Sequence, residues 1–176
     1  NQVGGQDELV FDGGSMLVDP DGKLMGNAAR FEESLLVADI NTDPQKNSLS
    51  RQQNYRVSNK NLAQVGTSST VKISTKNTQP KRSKLPQLSI NRLGKLESVY
   101  RALIVGTRDY IRKTGFKKVA VAVSGGIDSA LVTTIAADAI GAENVVGVAL
   151  PSRYSSEGSI TDAHQLCSQL NVELWT

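Results

Sequence analysis

Val119-Ala-Val-Ala-Val-Ser124-Gly-Gly-Ile-Asp128-Ser129-Ala-Leu-Val132 decides the fold of this chain. A run of small and β-branched apolar residues predicts a buried strand. Ser124-Gly-Gly-Ile-Asp-Ser129 predicts a tight turn, and an apolar helical pattern follows it without a gap. Two successive glycines let a ligand approach the main chain closely. The helix start offers free N–H groups and partial positive charge, which favour an anion such as phosphate. Ser124 and Ser129 add hydroxyl donors. Asp128 would repel phosphate unless a Mg²⁺ ion bridges its carboxylate to the phosphate oxygens. No Gly-Lys-Ser/Thr follows and no Gly-x-Gly-x-x-Gly is present, which excludes the Walker-type loop and the dinucleotide fingerprint. A plain strand-to-helix turn, with Asp128 or Ser129 only capping the helix, stays open as the alternative.

Outward from this unit, the helix runs from about Ser129 to Ile140 and stops at Gly141. Asn144-Val-Val-Gly-Val-Ala-Leu150 reads as a second buried strand ended by Pro151, Asp162 to Leu170 as a second helix, and Val172 to Trp175 as a third strand. This alternation predicts an α/β fold with a doubly wound parallel sheet of Rossmann-like type. Ligands bind such sheets at the carboxyl ends of strands. The Ser124–Ser129 loop and Pro151-Ser-Arg-Tyr-Ser-Ser156 both lie at such ends, so they should meet. Arg153 is then either a phosphate or carboxylate contact or a solvent-facing loop residue. Residues 90–113 read as an amphipathic helix with Leu93, Leu96, Tyr100, Leu103, Ile104, Tyr110 and Ile111 on the apolar stripe and Gly115 as its stop.

The first 40 residues read as β structure. Glu8 to Phe11 is a strand, Asp12-Gly-Gly14 a hairpin turn, Ser15 to Val18 the return strand, Asp19-Pro-Asp-Gly22 a further turn, and Ser34 to Ile40 another strand. So few short strands cannot bury a core alone, so they are expected to be the end of a larger domain. Residues 41–88 change character: nine Lys or Arg stand against one acid, Asp43, among Asn, Gln, Ser and Thr. The basic excess behind the formal charge of +3 lies in this segment only. Without a sustained period it reads as a solvated interdomain linker, with a short strand at Thr70 to Ser74. Tyr55 is its only aromatic, which argues against a stacking nucleic-acid arm. The single cysteine, Cys167, excludes an internal disulfide and fits a reducing compartment. The single histidine, His164, has no partner motif and reads as a surface or packing residue. No apolar run reaches the roughly 18 residues of a membrane span.

Ser124-Gly-Gly-Ile-Asp-Ser129 at a strand end resembles the pyrophosphatase loop of the ATP-pyrophosphatase superfamily, whose fold is adenine nucleotide α-hydrolase-like. Two flanking regions narrow the resemblance. Leu150-Pro-Ser-Arg-Tyr-Ser-Ser156 with Asp162-Ala163 is similar to NAD synthetases. Asn1-Gln-Val-Gly-Gly-Gln-Asp-Glu-Leu-Val-Phe-Asp-Gly-Gly-Ser15 resembles the late part of the nitrilase-type, α-β-β-α glutaminase domain of glutamine-dependent NAD synthetases. Glu97 to Leu103 and Arg108-Asp-Tyr110 resemble the helix that opens the synthetase domain there.

The resemblance implies three parts: 1–40 the end of the glutaminase domain, 41–89 the linker, and 90–176 the first part of the synthetase domain. It implies ATP and Mg²⁺ as cofactors. Ala122, Val123, Ser124, Gly125, Gly126, Ile127, Asp128 and Ser129 fall at the ATP positions, and Asp128 also at the metal position. Ala122 and Val123 would flank the adenylate through their backbones. The reaction implied is adenylation of deamido-NAD with release of pyrophosphate, then amidation by ammonia drawn from glutamine. The implied setting is a cytoplasmic enzyme, homo-oligomeric at full length, with deamido-NAD and glutamine as small-molecule partners and neither nucleic acid nor membrane.

In this family the Cys–Glu–Lys triad of the glutaminase lies before the position of Asn1, and most of the deamido-NAD site lies after Thr176. No catalytic residue is therefore expected here, Cys167 is not the nucleophile, and the chain reads as a piece of a longer protein. The competing readings are another ATP-pyrophosphatase ligase, such as a GMP synthetase, and a non-enzymatic piece organised on the basic segment. The 176-residue chain alone is expected neither to hydrolyse glutamine nor to form NAD; detecting either product with the pure chain would overturn this reading.

Overall fold

Three parallel strands form the sheet that carries the quoted stretch. In chain order the elements are β1 (Val3–Gln6), β2 (Leu9–Asp12), β3 (Met16–Val18), β4 (Leu24–Asn27), α1 (Lys95–Lys113), β5 (Val119–Ala122), α2 (Ile127–Ile140), a 3-10 turn (Ala142–Asn144), β6 (Val145–Val148), α3 (Glu157–Leu170) and β7 (Glu173–Trp175). They come from a computed structural model that describes residues 1–19, 21–40, 71, 85, 87–151 and 156–176. Arg153, the strand expected at 70–74 and most of the linker lie outside the described residues.

β6 is the middle strand, paired with β5 from Val119 opposite Val145 to Ala122 opposite Val148, and with β7 from Val146 opposite Glu173 to Val148 opposite Trp175. The ladder continues past the strand ends through Val123 N–H to the Val148 carbonyl (2.9 Å) and Ala149 N–H to the Trp175 carbonyl (2.8 Å). Val145, Val146 and Gly147 are all buried, as expected for a parallel strand covered on both faces. The core gathers Val123, Ala136, Val145, Ala163, Cys167 and Val172 from strands and helices alike. Cys167 is one of these small buried hydrophobes, and burial pushes its thiol pKa up. His164 is exposed, as anticipated.

α2 and α3 cover this sheet. In α2, Thr133 is fully buried and turns its hydroxyl back to the Ser129 carbonyl at 2.7 Å, which satisfies it inside the helix. α3 begins at Glu157, five residues before the sequence suggested. Ser156 caps it, its hydroxyl accepting from Ser159 N–H at 3.1 Å, so residues that read as a loop form the first helical turn. Asn171 in the left-handed conformation ends it.

α1 starts at Lys95, and Gly115 follows its end as expected. Its inward face differs from the expected stripe. Leu96 is 86% exposed and Tyr110 and Leu103 are also exposed, whereas Val105 and Ile111 are buried. The inward side is set by contacts with β1, β2 and α2. Tyr100 donates its hydroxyl to Asp138 of α2 at 2.6 Å. That bond, together with burial and the carboxylate charge, pushes the phenol up to about 12. Because this pKa is raised in the fold, the stabilisation is complete below the phenol's ordinary value and fades as pH climbs towards 12.

The chain forms two compact units. The first holds residues 1–15, 28–34 and 91–176, so β1 and β2 share it with the parallel sheet. β1 and β2 pair antiparallel, from Val3 opposite Asp12 to Gln6 opposite Leu9. The second holds residues 16–27 and 35–90, with β3 paired antiparallel to β4. The Asp19 turn forms there as expected: the Asp19 carboxylate accepts from the N–H groups of Asp21 and Lys23 at 2.9 and 2.8 Å.

Two expectations are corrected. Asp12-Gly-Gly14 does not join β2 to β3 as a hairpin, since β2 takes β1 as its partner and β3 takes β4. β1 carries two glycines, Gly4 and Gly5, whose low strand propensity gives no local strand signal. Residues 34–40 form no strand; among the described residues nothing pairs with them as a ladder.

A β-carbon on Gly147 would meet Cys167 Sγ at 2.9 Å, Leu174 Cδ1 at 3.1 Å and Val123 Cγ2 at 3.2 Å. Gly147→Val is therefore expected to destabilise the sheet by roughly 1–3 kcal/mol through overpacking. The midpoint of thermal unfolding checks this, and an unchanged midpoint would refute it.

Candidate functional site

The site begins where β5 ends. Val123 is buried and holds the ladder, so the chain leaves the sheet at Ser124. Gly125 then turns with φ +77°, and a β-carbon there would lie 2.2 Å from the Ser159 carbonyl oxygen and 2.7 Å from its Cα. Only glycine passes beneath the first turn of α3 in this conformation. Gly126 is different. Its φ of −88° is open to any residue, and a β-carbon would meet nothing nearer than Ser124 Oγ at 3.4 Å. Its missing side chain leaves the start of α2 accessible from outside.

The two hydroxyls brace the loop. Ser124 Oγ and Ser129 Oγ lie 3.2 Å apart; Ser129 Oγ donates to the Gly126 carbonyl at 3.0 Å and accepts from Ser124 N–H at 3.2 Å. Gly126 N–H reaches Ser124 Oγ at 3.4 Å. Ser129 thus works on the loop and does not cap α2, whose N-cap is Gly126 with no side-chain cap bond. Nor does Asp128 cap it. The first turn of α2 keeps backbone donors that no side chain takes, the feature an anion site would use. Asp128 is exposed in that first turn, and Ile127 is 82% exposed beside it.

A cavity of about 150 Å³ opens at the carboxyl ends of β5 and β6. Ala122, Val123 and Ser124 line it from one strand, Ala149 and Leu150 from the other, and Ser159 from the helix above. The two loops expected to converge therefore do so at the described ends, Ser124 and Pro151. A second hollow on the far side of the loop is lined by Gly125, Gly126, Ile127 and Ala130 together with Asp162 and Leu166. The sequence reading did not foresee Ser159 and Ile160 in the wall. Ser156 and Ser159, spaced three apart before an apolar helical run, were the signal that could have shown it.

Asp128 is the carboxylate of the loop, and Asp162 lines the hollow on its far side. Among the described residues no group of three or more His, Cys, Asp or Glu could hold a metal ion. Mg²⁺ is commonly held by one or two carboxylates with the rest of its shell from phosphates and water, so Asp128 is the loop residue that could hold one.

Comparison with known proteins agrees with this architecture. Residues 99–176 match the NAD synthase family model, and residues 1–45 match the carbon-nitrogen hydrolase model. The chain is 41% identical over 182 residues to a glutamine-dependent NAD(+) synthetase of Thermotoga maritima, covering 98% of the chain and 29% of that protein. A synthetase of the same name from Aquifex aeolicus is 39% identical over 173 residues, with 98% and 30% covered. The solved structure of the glutamine-dependent NAD+ synthetase from Acinetobacter baumannii in complex with adenosine diphosphate superposes with a TM-score of 0.69 at 32% identity, over 99% of this chain and 26% of that one. The chain is thus similar to glutamine-dependent NAD(+) synthetases along its length and spans less than a third of the relatives it matches.

Gly125→Ala is expected to cost roughly 1–3 kcal/mol locally, since it combines strained backbone with a clash against a carbonyl. Amide hydrogen exchange across residues 124–129 should quicken; unchanged protection would show that the loop tolerates a side chain.

Proposed function

We propose that this chain spans the junction of a glutamine-dependent NAD(+) synthetase, with residues 1–40 the end of its glutaminase domain, 41–89 the linker and 90–176 the start of its synthetase domain. The observation that carries the reading is the pairing of a carbon-nitrogen hydrolase match with an NAD synthase match, the second containing an uncapped helix start behind a Ser-Gly-Gly loop. No observation favours another ATP-pyrophosphatase ligase or a nucleic-acid-binding role, and among the described residues no helix is long and apolar enough to cross a membrane.

In this reading ATP lies across the carboxyl ends of β5 and β6. The adenosine side of the nucleotide follows the backbone of Ala122 and Val123, which line the cavity. The β- and γ-phosphates take the open donors of Ile127 and Asp128, with the Ser124 and Ser129 hydroxyls beside them. That a relative was solved in complex with adenosine diphosphate supports adenine-nucleotide binding as such. Mg²⁺ would be held by Asp128 and would supply neutralisation of the departing pyrophosphate. The protein's own contribution is orientation and fixed dipoles. The loop is braced by hydroxyls and pinned by Gly125, so its N–H groups need little reorganisation as charge builds on the leaving group. The nicotinate carboxylate of deamido-NAD attacks the α-phosphorus to form the adenylate. Ammonia released from glutamine then displaces AMP to give NAD.

Asp128→Ala in the full-length protein tests the assignment. ATP–pyrophosphate exchange dependent on deamido-NAD should fall at least about a hundredfold, while glutamine hydrolysis stays largely intact. Retained exchange would overturn the metal assignment, and exchange indifferent to deamido-NAD in the unaltered enzyme would overturn the proposed substrate.

A further inference from the structure

One polar contact in the first compact unit has no part in the nucleotide loop. It lies where β1, from the carbon-nitrogen hydrolase match, meets α1, from the NAD synthase match. Asp109 and Lys113 stand one helical turn apart on α1. Gly5 N–H donates to Asp109 Oδ2 at 2.8 Å. Lys113 Nζ donates to the Gly5 carbonyl and, at 3.2 Å, to Gln6 Oε1. One acid and one base therefore take both backbone groups of a single strand residue. They do for the edge of β1 what a neighbouring strand would do.

The backbones meet closely at this point. A β-carbon on Gly5 would lie 3.1 Å from Gly106 Cα, and one on Gly4 would lie 2.9 Å from Asp109 Oδ2. The Asp109 side chain is only 16% exposed and is flanked by Arg108 Nε at 2.9 Å. Burial raises its carboxyl pKa, but Gly5 N–H, Arg108 and Lys113 outweigh that and hold it below its ordinary value. A third tie lies earlier on the helix, where Arg30 joins Asp12 at 2.7 Å and donates to Ser98 Oγ at 3.2 Å.

Apolar packing alone would let a strand slide along a helix. Here directional bonds from two ionised groups to one peptide fix the register, and a one-residue slip would cost Asp109 and Lys113 their bonds to Gly5. The same helix bonds to α2 through Tyr100 and Asp138, and α2 begins at the loop. We infer that Asp109 and Lys113 are positioning residues that hold the hydrolase-type segment in register on α1, so that ammonia released on one side reaches the synthetase on the other. This inference rests on the function proposed above. It assigns the two residues to nitrogen delivery and gives them no part in adenylation.

The test uses the full-length enzyme and compares two nitrogen sources at saturation, glutamine and ammonium. Asp109→Ala removes the acceptor, and Lys113→Met keeps the stem while removing the donor. Each should lower glutamine-driven NAD formation by about tenfold, the size of an ordinary coupling between sites. Ammonium-driven formation should stay within about twofold, and glutamate should accumulate in excess of NAD. Equal loss with both sources would show a merely structural role and overturn the inference, as would wild-type rates and stoichiometry in both variants. A wild-type enzyme that made NAD from neither source would overturn the function itself, and the inference with it.

Discussion

The candidate site depends on a steric limit: no atom larger than hydrogen fits on Gly125 against the carbonyl of Ser159. That contact sets the loop beneath α3. α3 in turn is seated by Ala163 and Cys167 on the strands that start the loop. The position of the nucleotide loop is therefore inherited from the core, through a chain of packed atoms with little freedom at any link. The serines tune what the core has already placed.

α1 gives the first unit a second level of organisation. One part of its surface meets β1 and β2, and another meets α2. The residues it spends on these contacts, Gly106, Asp109, Lys113 and Tyr100, are small or polar. The apolar residues that mark it as amphipathic are partly left in solvent. A helix with polar bonds to two neighbours locates them relative to itself more sharply than a greasy stripe would, because hydrogen bonds have direction and apolar burial does not.

Much of this was legible in the residues, for identifiable reasons. The order of strand, loop and helix at 119–140 follows from an apolar run, two glycines and a helical period, all local signals. β6, β7, the Asp19 turn and the stop at Gly115 were equally local. Pairing was not. The partner of β2 is decided by where the strands pack, and the glycines of β1, needed for contact with α1, give no local strand signal. The inward face of α1 was misjudged because its closest contacts are made by a glycine and a carboxylate, which no hydrophobic pattern registers. The start of α3 was missed because Ser156, Gly158 and Ser159 look like loop residues until a hydroxyl is seen to cap the turn. Within the site, the 124–129 loop was found as a unit, but the contribution of Ser159 needed the tertiary fold.

The two helices over the sheet begin differently. α3 carries its own cap in Ser156, whereas α2 has none, and the one hydroxyl that could reach back is engaged within the loop. A serine or aspartate at position 126 would close the open start of α2, and would do so by occupying the donors a phosphate needs. Local stability and affinity thus compete for the same N–H groups, and the chain leaves them unclaimed. Under the proposed function, the last increment of order in this part of the fold is delegated to the ligand. The loop is then less a finished pocket than a partner half-built, completed by the bound anion.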